Sequence, residues 1–296
     1  MLLQNYFETR MKLIENALAA ALETDKGFAD SLKEAIRKAI FPGGKRWRPL
    51  LLISMFEMLT GMKKNHKLLP DAINAAIAVE FAHNAALIHD DLPFLMNRKE
   101  RRGAQSIHQE YGNVIAILAG DALYTLAFEA MGNIRDASKA SQMIRVLAMS
   151  TKSYGLIGGQ AIDLANKRKV MKINTLRYID IKKVGSLLQT CADMACILAE
   201  SDDNTRQVLG TYASNLGMAY QMIDDIEADY ARGSEGLDFS EDYVPTSKSG
   251  YTGLLGFDRA RREVENLLDE CTRSLKNYEH NDVLMEFIQM ISERLP

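Results

Sequence analysis

The sequence predicts an all-α protein, a helical bundle of about ten helices, and three observations lead to this prediction. Proline is scarce, and none occurs between Pro93 and Pro245, a stretch rich in residues that lose little side-chain freedom in a helix. Apolar residues recur at three- and four-residue steps, as at Ile73, Ile77 and Phe81, which is typical of a buried helical stripe. Runs of β-branched residues with a period of two are absent from the sequence.

The predicted helices are separated by glycine and proline, which end helices. The helices are expected near residues 2–22, 27–40, 47–60, 71–96, 113–131, 136–155, 173–199, 203–231, 253–276 and 282–294. The segment 232–251 is predicted to be a long loop, and loops of this length often have a function. The sequence does not determine whether this loop closes over a substrate. Because no change of composition marks a boundary, we expect a single domain over residues 1–296.

Composition excludes several classes of protein. Lys and Arg total 36 and Asp and Glu total 39, so a net charge of −3 gives no reason to expect a nucleic-acid partner. A hydrophobic content of 47% excludes a disordered chain. The three cysteines, Cys191, Cys196 and Cys271, form no CxxC pair and are expected to be free thiols in a reducing compartment. No apolar run reaches about 18 residues without interruption, so we expect no transmembrane segment and a cytoplasmic protein.

Two acidic pairs lie in otherwise apolar helical segments. Asp90-Asp91 belongs to ALIHDDLP, and Asp224-Asp225 belongs to YQMIDDIEAD. Buried carboxylates are costly unless a cation or hydrogen bonds compensate them, although a solvated helix end would explain one pair. If the two helices face one another, four carboxylates converge, and such hard oxygen ligands suit Mg²⁺ carrying a diphosphate.

Basic residues accompany the acidic pairs. Gly43-Gly44-Lys45-Arg46-Trp47-Arg48 places three cations at a predicted helix start, where free N–H groups favour an anion. Arg101-Arg102 follows the first acidic pair by ten residues. Either group alone would be explained by solvent exposure, but together with the acids they predict an electrostatic clamp on a diphosphate leaving group.

Seven segments in order, over about residues 40–256, resemble the trans-prenyltransferases, which are the farnesyl and geranylgeranyl diphosphate synthases. The segments are FPGGKRWRP, HDDLP, RRGAQSIH, AGDAL, GGQAIDL, KKVGSLL and YQMIDDIEAD. The resemblance implies the isoprenoid synthase fold, a helical bundle around a deep central cavity, and usually a homodimer. It also implies head-to-tail condensation of isopentenyl diphosphate with an allylic diphosphate that ionises with the help of Mg²⁺.

The resemblance also assigns site residues. The positions that match the isopentenyl diphosphate site are Lys45, Arg48, His83 and Arg102. Those that match contacts of the allylic diphosphate are Arg101, Gln160, Lys183, Gln221 and Lys248. Asp90, Asp91 and Asp224 match metal-binding positions, with Asp225 as the neighbouring carboxylate; the catalytic set comprises Asp90, Asp91, Lys183, Asp224 and Lys248.

The sequence departs from the family pattern in its acidic motifs. The third acid of the first motif is replaced by Met96, whose thioether is a poor ligand for Mg²⁺, although the neighbouring Asn97 offers a carbonyl oxygen. The last acid of the second motif is replaced by Ala228, and Asp229 is predicted as a partial substitute acting through water. The residues that match the isopentenyl diphosphate site are therefore all present, whereas two of the acids expected at the metal-binding positions are replaced.

Product length is predicted from the residues just before the first motif. Ala85 and Ala86 occupy the positions that set chain length in the family, and small side chains leave the floor of the product tunnel open. The protein is then expected to exceed fifteen carbons unless a bulky residue such as Phe128 closes the floor. The alternative is that both alanines serve only tight helix packing.

Three hypotheses about function remain. The first is an active short- or medium-chain prenyl diphosphate synthase. The second is a weakly active or non-catalytic homologue that binds isopentenyl diphosphate or partners an active subunit, as Met96 and Ala228 suggest. The third is a metal phosphohydrolase built on His89-Asp90, which leaves GGKRWRP and the second acidic pair unexplained.

Overall fold

The computed structural model describes residues 2–23, 29–41, 43–61, 66–166, 169, 171–233 and 250–296. Their α-helices, in chain order, are α1 Leu2–Glu23, α2 Asp30–Ile40, α3 Trp47–Leu59, α4 Leu69–Asp90, α5 Ile107–Gly132, α6 Ala137–Thr151, α7 Leu156–Asn166, α8 Ile173–Asp180, α9 Ser186–Ala199, α10 Asp203–Gly233, α11 Tyr251–Leu255, α12 Phe257–Leu275 and α13 Asp282–Ser292. The chain forms two compact units, each described by itself below. Unit 1 comprises Met1–Leu147 and Met194–Glu200, and unit 2 comprises Ala148–Asp193 and Ser201–Pro296.

In unit 1, α4 packs against both α3 and α5. The close approach of α4 and α5 depends on small residues, because a Cβ atom at Gly120 of α5 would lie 2.1 Å from His89 Nε2 of α4. Ala85 and Ala86 are buried on α4, and Ala116 and Ala127 are buried on α5. The contact between these two helices holds the C-terminal end of α4, where the first acidic pair lies.

Unit 2 is organised around the long helix α10, which packs against α12. A π-helical segment, Ile181–Gly185, joins α8 to α9 and also packs against α10. A Cβ atom at Gly217 of α10 would lie 2.6 Å from Leu188 Cδ1, so the leucine side chain lies directly against the helix backbone here. The side chain of Tyr212 is fully buried, and its hydroxyl donates to the carbonyl of Leu284 over 2.7 Å.

The all-α prediction is confirmed, with corrections to the elements. Helix 71–96 was predicted too long: α4 ends at Asp90, so Asp91 lies at the helix end, ahead of a turn that contains Pro93. A short antiparallel hairpin follows, formed by β1 Glu100–Arg101 and β2 Ala104–Gln105. Helix α7 was not predicted as a separate element, and helix 173–199 is interrupted by the π-helical segment. Gly256, with φ of 79°, divides α11 from α12.

Within the described part of the chain, one helix, α5, is long and apolar enough to cross a membrane by length and composition alone. This is weak evidence for a membrane span, since α5 packs against α4 and α2 within unit 1. Its other face exposes four large apolar side chains: Val114, Ile117, Leu118 and Phe128. Phe128, the residue named from the sequence as possible bulk in a product tunnel, is 37% exposed.

Candidate active site

The glycine-rich segment before α3 is held by an internal arginine. Arg46 is buried in a left-handed conformation with φ of 45°. Its Nη1 donates to Glu80 over 2.7 Å and its Nε donates to Glu15 over 2.7 Å. Of the three cations predicted at this helix start, Arg46 is therefore already neutralised by the protein. Lys45 is exposed and Arg48 is half-buried.

Arg48 lies against His83 of α4, with Nη1 3.3 Å from the imidazole Nε2. A guanidinium can only donate, so this contact requires Nε2 to accept and the ring proton to lie on Nδ1. Burial and the charges of Arg48, Arg102, Arg101 and Arg46 lower the pKa of His83 well below its ordinary value. His83 is accordingly neutral at physiological pH, in a strongly positive field.

The hairpin supplies two further arginines. Arg102 adopts φ of 53°, and its Nη1 donates to the carbonyl of Gly43 over 2.5 Å. A Cβ atom on Gly44 would lie 2.9 Å from Arg102 Cζ, so this loop approaches Arg102 closely only because it carries glycine. Burial lowers the pKa of Arg102, and the neighbouring guanidiniums lower it further. Such a concentration of positive charge favours a bound anion.

Arg101 forms a bidentate pair with Asp91. Its Nε and Nη2 each lie 2.6 Å from one carboxylate oxygen, and Asp91 is only 3% exposed. The pair borders a small pocket within unit 1, which Lys38 and Asn84 also line. One predicted metal ligand is therefore already neutralised by a predicted diphosphate ligand.

The turn after the first acidic pair presents Met96, where the resemblance to the trans-prenyltransferases predicts an acid. The backbone N–H of Met96 donates to the carbonyl of Asp90 over 3.0 Å. Asn97 follows in a left-handed conformation with φ of 51°, and its side chain is exposed. Turn geometry thus places residue 96 beside the acidic pair, where an acidic side chain would add a ligand.

In unit 2, Lys183 and Gln160 lie on elements that touch. Lys183 Nζ, in the π-helical segment, lies 2.7 Å from the carboxylate of Asp163 on α7. A Cβ atom at Gly159 would lie 2.7 Å from Lys182 Cβ and 3.2 Å from the backbone nitrogen of Lys183, so glycine permits this approach. Both amide atoms of Gln160 are buried and have no hydrogen-bond partner within the described ranges. An unsatisfied buried amide costs free energy, which a polar ligand would recover.

A buried carboxyl lies three residues before Lys183. Asp180 accepts a hydrogen bond of 2.8 Å from the hydroxyl of Tyr251, and the backbone N–H of Tyr251 donates to Asp225 over 3.1 Å. Burial raises the pKa of Asp180 to about 7, with the charges of Asp225 and Asp163 adding to it and Tyr251 and Lys183 opposing it. The start of α11 is thus tied to the second acidic pair.

The first acid of that pair is also neutralised from within the protein. Arg294 Nη2 lies 2.5 Å from Asp224 Oδ1 and 2.5 Å from Glu227 Oε2. Burial opposes the charge of Arg294, but the hydrogen bonds to Glu227 and Asp224 outweigh it and raise the pKa of Arg294. A carboxylate therefore pairs with a guanidinium in each acidic motif: Asp91 with Arg101, and Asp224 with Arg294.

Asp229 does not face solvent, although it was predicted to substitute for the missing acid through water. It is 1% exposed and accepts a hydrogen bond from the hydroxyl of Thr252. Ala228 is exposed one helical turn after Asp224. Gln221 is half-buried on α10, three residues before Asp224. Lys248, and most of the predicted loop 232–251, lie outside the described residues.

In the described part of the chain, no group of three His, Cys, Asp or Glu side chains converges to form a metal site. Protein side chains alone therefore do not complete the coordination of a metal there. Mg²⁺ needs fewer protein ligands, because it is commonly bound by one or two carboxylates together with substrate phosphates and water. The two acidic motifs therefore fit Mg²⁺ that is bound together with a diphosphate.

Three participants were not assigned from the sequence: Asp163, Asp180 and Arg294. A signal existed for Asp163, which lies in GGQAIDL three residues after Gln160 and so shares its helix face. Arg294 carried no such signal, since it contacts Asp224 across a separation of 70 residues.

Comparison with known proteins was consistent across sequence and structure. The family model described as polyprenyl synthetase matches residues 29–291. A dimethylallyltranstransferase of Fischerella ambigua is 33% identical over 95% of this chain and 80% of its own. A farnesyl diphosphate synthase of Micrococcus luteus is 33% identical over 89% of each chain. The apo crystal structure of an FPP/GFPP synthase from Zymomonas mobilis is 28% identical with a TM-score of 0.84 and covers 98% of both chains.

Proposed function

This chain belongs to the polyprenyl synthetase family and is a prenyltransferase, and from that premise we propose how its residues condense isopentenyl diphosphate with an allylic diphosphate. The relatives are farnesyl and geranylgeranyl diphosphate synthases, so the activity is that of a short-chain prenyl diphosphate synthase. The same comparisons support the isoprenoid synthase fold.

The positive cluster around His83 carries the proposal for isopentenyl diphosphate. Lys45, Arg48 and Arg102 supply the charges that bind its diphosphate. His83, held neutral by burial and by these cations, accepts from Arg48 and orients its guanidinium. The buried pairs of Arg46 keep the loop in place, so the binding groups are arranged before the ligand arrives.

The allylic diphosphate is the proposed ligand of the second group of residues. Gln160, Lys183 and Gln221 are its proposed ligands within unit 2. The resemblance also assigns Arg101 and Lys248 to the allylic diphosphate. The unpartnered amide of Gln160 supports this assignment, because a diphosphate oxygen would satisfy its buried N–H₂ group. Asp163 holds the ammonium group of Lys183 in position, and Lys183 stabilises the departing diphosphate.

Mg²⁺ is the proposed cofactor, with Asp90 and Asp91 as its proposed ligands in unit 1 and Asp224 and Asp225 as its proposed ligands in unit 2. When bound, it would neutralise the negative charge that builds up on the leaving diphosphate. Arg101 neutralises Asp91 in the free protein, and transfer of this guanidinium from the carboxylate to the diphosphate would free Asp91 for the metal.

Product length is proposed to exceed fifteen carbons. Ala85 and Ala86 are small and buried just upstream of Asp90, and Phe128 is 37% exposed and so leaves the floor unfilled. The alternative is that these alanines serve only tight helix packing, which sets no product length.

The decisive experiment is a turnover assay of the purified protein with Mg²⁺, labelled isopentenyl diphosphate and each of dimethylallyl, geranyl and farnesyl diphosphate. Products of twenty carbons or more support both the synthase and the open floor. A strict fifteen-carbon product would keep the synthase and refute the open floor.

A second candidate function is a homologue that binds isopentenyl diphosphate without efficient turnover. The pairing of Asp91 with Arg101 and of Asp224 with Arg294 favours it, because each pair competes with a metal. It predicts no product with any allylic substrate while isopentenyl diphosphate still binds.

The protein is further proposed to be a cytoplasmic homodimer that associates through the exposed face of α5. Val114, Ile117 and Leu118 form an apolar strip there, and burial of such a strip stabilises association. The three buried thiols support a reducing compartment. Leu118→Glu is expected to convert a dimer into a monomer in analytical ultracentrifugation, and a variant that remains dimeric would refute this interface.

A further inference from the structure

The second acidic motif contains more negative charge than its two aspartates. Tyr220, Asp224 and Glu227 are separated by four and three residues on α10 and therefore share one face of the helix. The carboxylates of Asp224 and Glu227 are both partly exposed, each at 39%. Ala228, where the family carries an acid, adds no charge to this face.

Arg294 neutralises this face from beyond the end of α13. Its Nη2 contacts both carboxylates at 2.5 Å, and its Nε donates a further hydrogen bond to Glu227 over 3.1 Å. The guanidinium carbon lies 4.6 Å from the centre of the Tyr220 ring, so the cation is also held by the aromatic face. Three contacts with one helix face define a specific position for this side chain.

The contact of Arg294 with Asp224 occupies Oδ1, one of the two oxygens through which this carboxylate could bind a metal. A guanidinium and Mg²⁺ are both cations, and both bind carboxylate oxygens, so the two compete for Asp224 Oδ1. We propose that Arg294 is a built-in counter-cation of the second acidic motif, which withholds Asp224 from divalent metal until a diphosphate is bound. This proposal rests on the proposed function, since it concerns the metal that the acidic motifs hold there.

The role has a physical consequence for the order of binding. A free carboxylate cluster would bind metal whether or not substrate were present. With Arg294 on Asp224, metal alone must displace a hydrogen-bonded cation, whereas a metal–diphosphate complex brings negative charge that Arg294 can contact instead. Metal binding to the second motif should therefore depend strongly on diphosphate.

The test measures Mn²⁺ binding to the full-length protein without any diphosphate, by electron paramagnetic resonance of free Mn²⁺. Arg294→Gln should bind Mn²⁺ about ten-fold more tightly than the wild-type protein, since one charge-assisted hydrogen bond no longer competes. Arg294→Met, which also lacks the charge, should show the same gain. Arg261→Gln is the matched control, because Arg261 forms an exposed ion pair with Glu265 on α12.

Asp224→Asn in the Arg294→Gln background identifies the site, and this double variant should lose the gain. Unchanged Mn²⁺ affinity in both Arg294 variants, or a gain that survives Asp224→Asn, would overturn the proposal. Circular dichroism checks that each variant is folded. Since no turnover is measured, a failed synthase assay leaves this result intact, and a negative Mn²⁺ result leaves the synthase proposal intact.

Discussion

Lys183 and Asp163 form an ion pair of 2.7 Å that joins the π-helical segment to α7. π-Helical turns are rare and often occur at functional sites, and this one carries the predicted catalytic lysine. Because both side chains are largely shielded from water, the carboxylate fixes the direction of the ammonium group.

Asp163→Asn should therefore misplace Lys183. We expect kcat with the allylic substrate to fall about ten-fold or more, since small misplacements of a positioned group are costly. Steady-state kinetics with both substrates varied would measure it, with the KM for isopentenyl diphosphate as the internal control. Circular dichroism would check the fold, because a partly unfolded enzyme would show a lower apparent kcat with both KM values unchanged. An unchanged kcat in a folded variant would contradict the positioning role.

Gly159→Ala tests the close packing of α7 against the π-helical segment, which brings Asp163 and Lys183 together. The added Cβ atom would lie 2.7 Å from Lys182 Cβ and 3.1 Å from Lys183 Cγ, so the π-helical segment must shift. We expect a loss of about 1–3 kcal/mol in the free energy of unfolding, measured by urea denaturation. Gly210→Ala is the control, because its nearest neighbour would lie 3.7 Å away and a helical alanine should be neutral or stabilising. Equal effects of the two changes would contradict the packing argument.

Gln160→Leu separates binding from stability. The leucine removes two buried polar atoms that have no partner in the described part of the chain, so the melting temperature should stay the same or rise. The KM for the allylic diphosphate should rise because the ligand loses a polar contact. A variant that melts earlier and binds normally would show that Gln160 is structural.

Met96→Asp should restore an acidic ligand beside Asp90. The backbone N–H of Met96 already donates to the carbonyl of Asp90, so the turn holds the backbone of residue 96 close to Asp90. A carboxylate at position 96 would therefore lie near the first acidic pair. We expect kcat to rise by about ten-fold or more if ionisation limits turnover, with the assay run over a range of Mg²⁺ concentrations. Phe94→Asp adds the same charge at a position that is 64% exposed and should change little. Identical kcat values for Met96→Asp and the wild-type protein would show that the missing acidic ligand does not limit turnover.

Asp180→Asn should change how stability depends on pH. The folded pKa of about 7 lies above the ordinary value of 3.8, so the folded state holds its proton longer than the unfolded state does. The wild-type protein should consequently lose stability as pH rises through this window, by up to about 2–4 kcal/mol, and the variant should not. Urea denaturation between about pH 4 and pH 8 measures the difference, and parallel curves for the two proteins would contradict it.

Much of the fold could be predicted because its signals are local. Helical periodicity, together with glycine and proline at the helix ends, predicts most of the helices. The end of α4 at Asp90 was predicted wrongly because the apolar pattern continues to Met96. The site was harder to predict. Arg46 and Arg48 belong to one motif, yet one is buried against Glu80 and the other contacts His83, a distinction set by tertiary packing.

The buried position of Arg46 bears on the entropy of ligand binding. Its bonds to Glu15, to Glu80 and to the carbonyl of Ile40 fix the backbone of the glycine-rich segment during folding. The conformational entropy of ordering that segment is thus lost once, when the chain folds, and not again with each molecule of ligand. Affinity for a diphosphate would then depend on the charges of Lys45 and Arg48 and little on loop ordering, so binding should have a small entropic penalty.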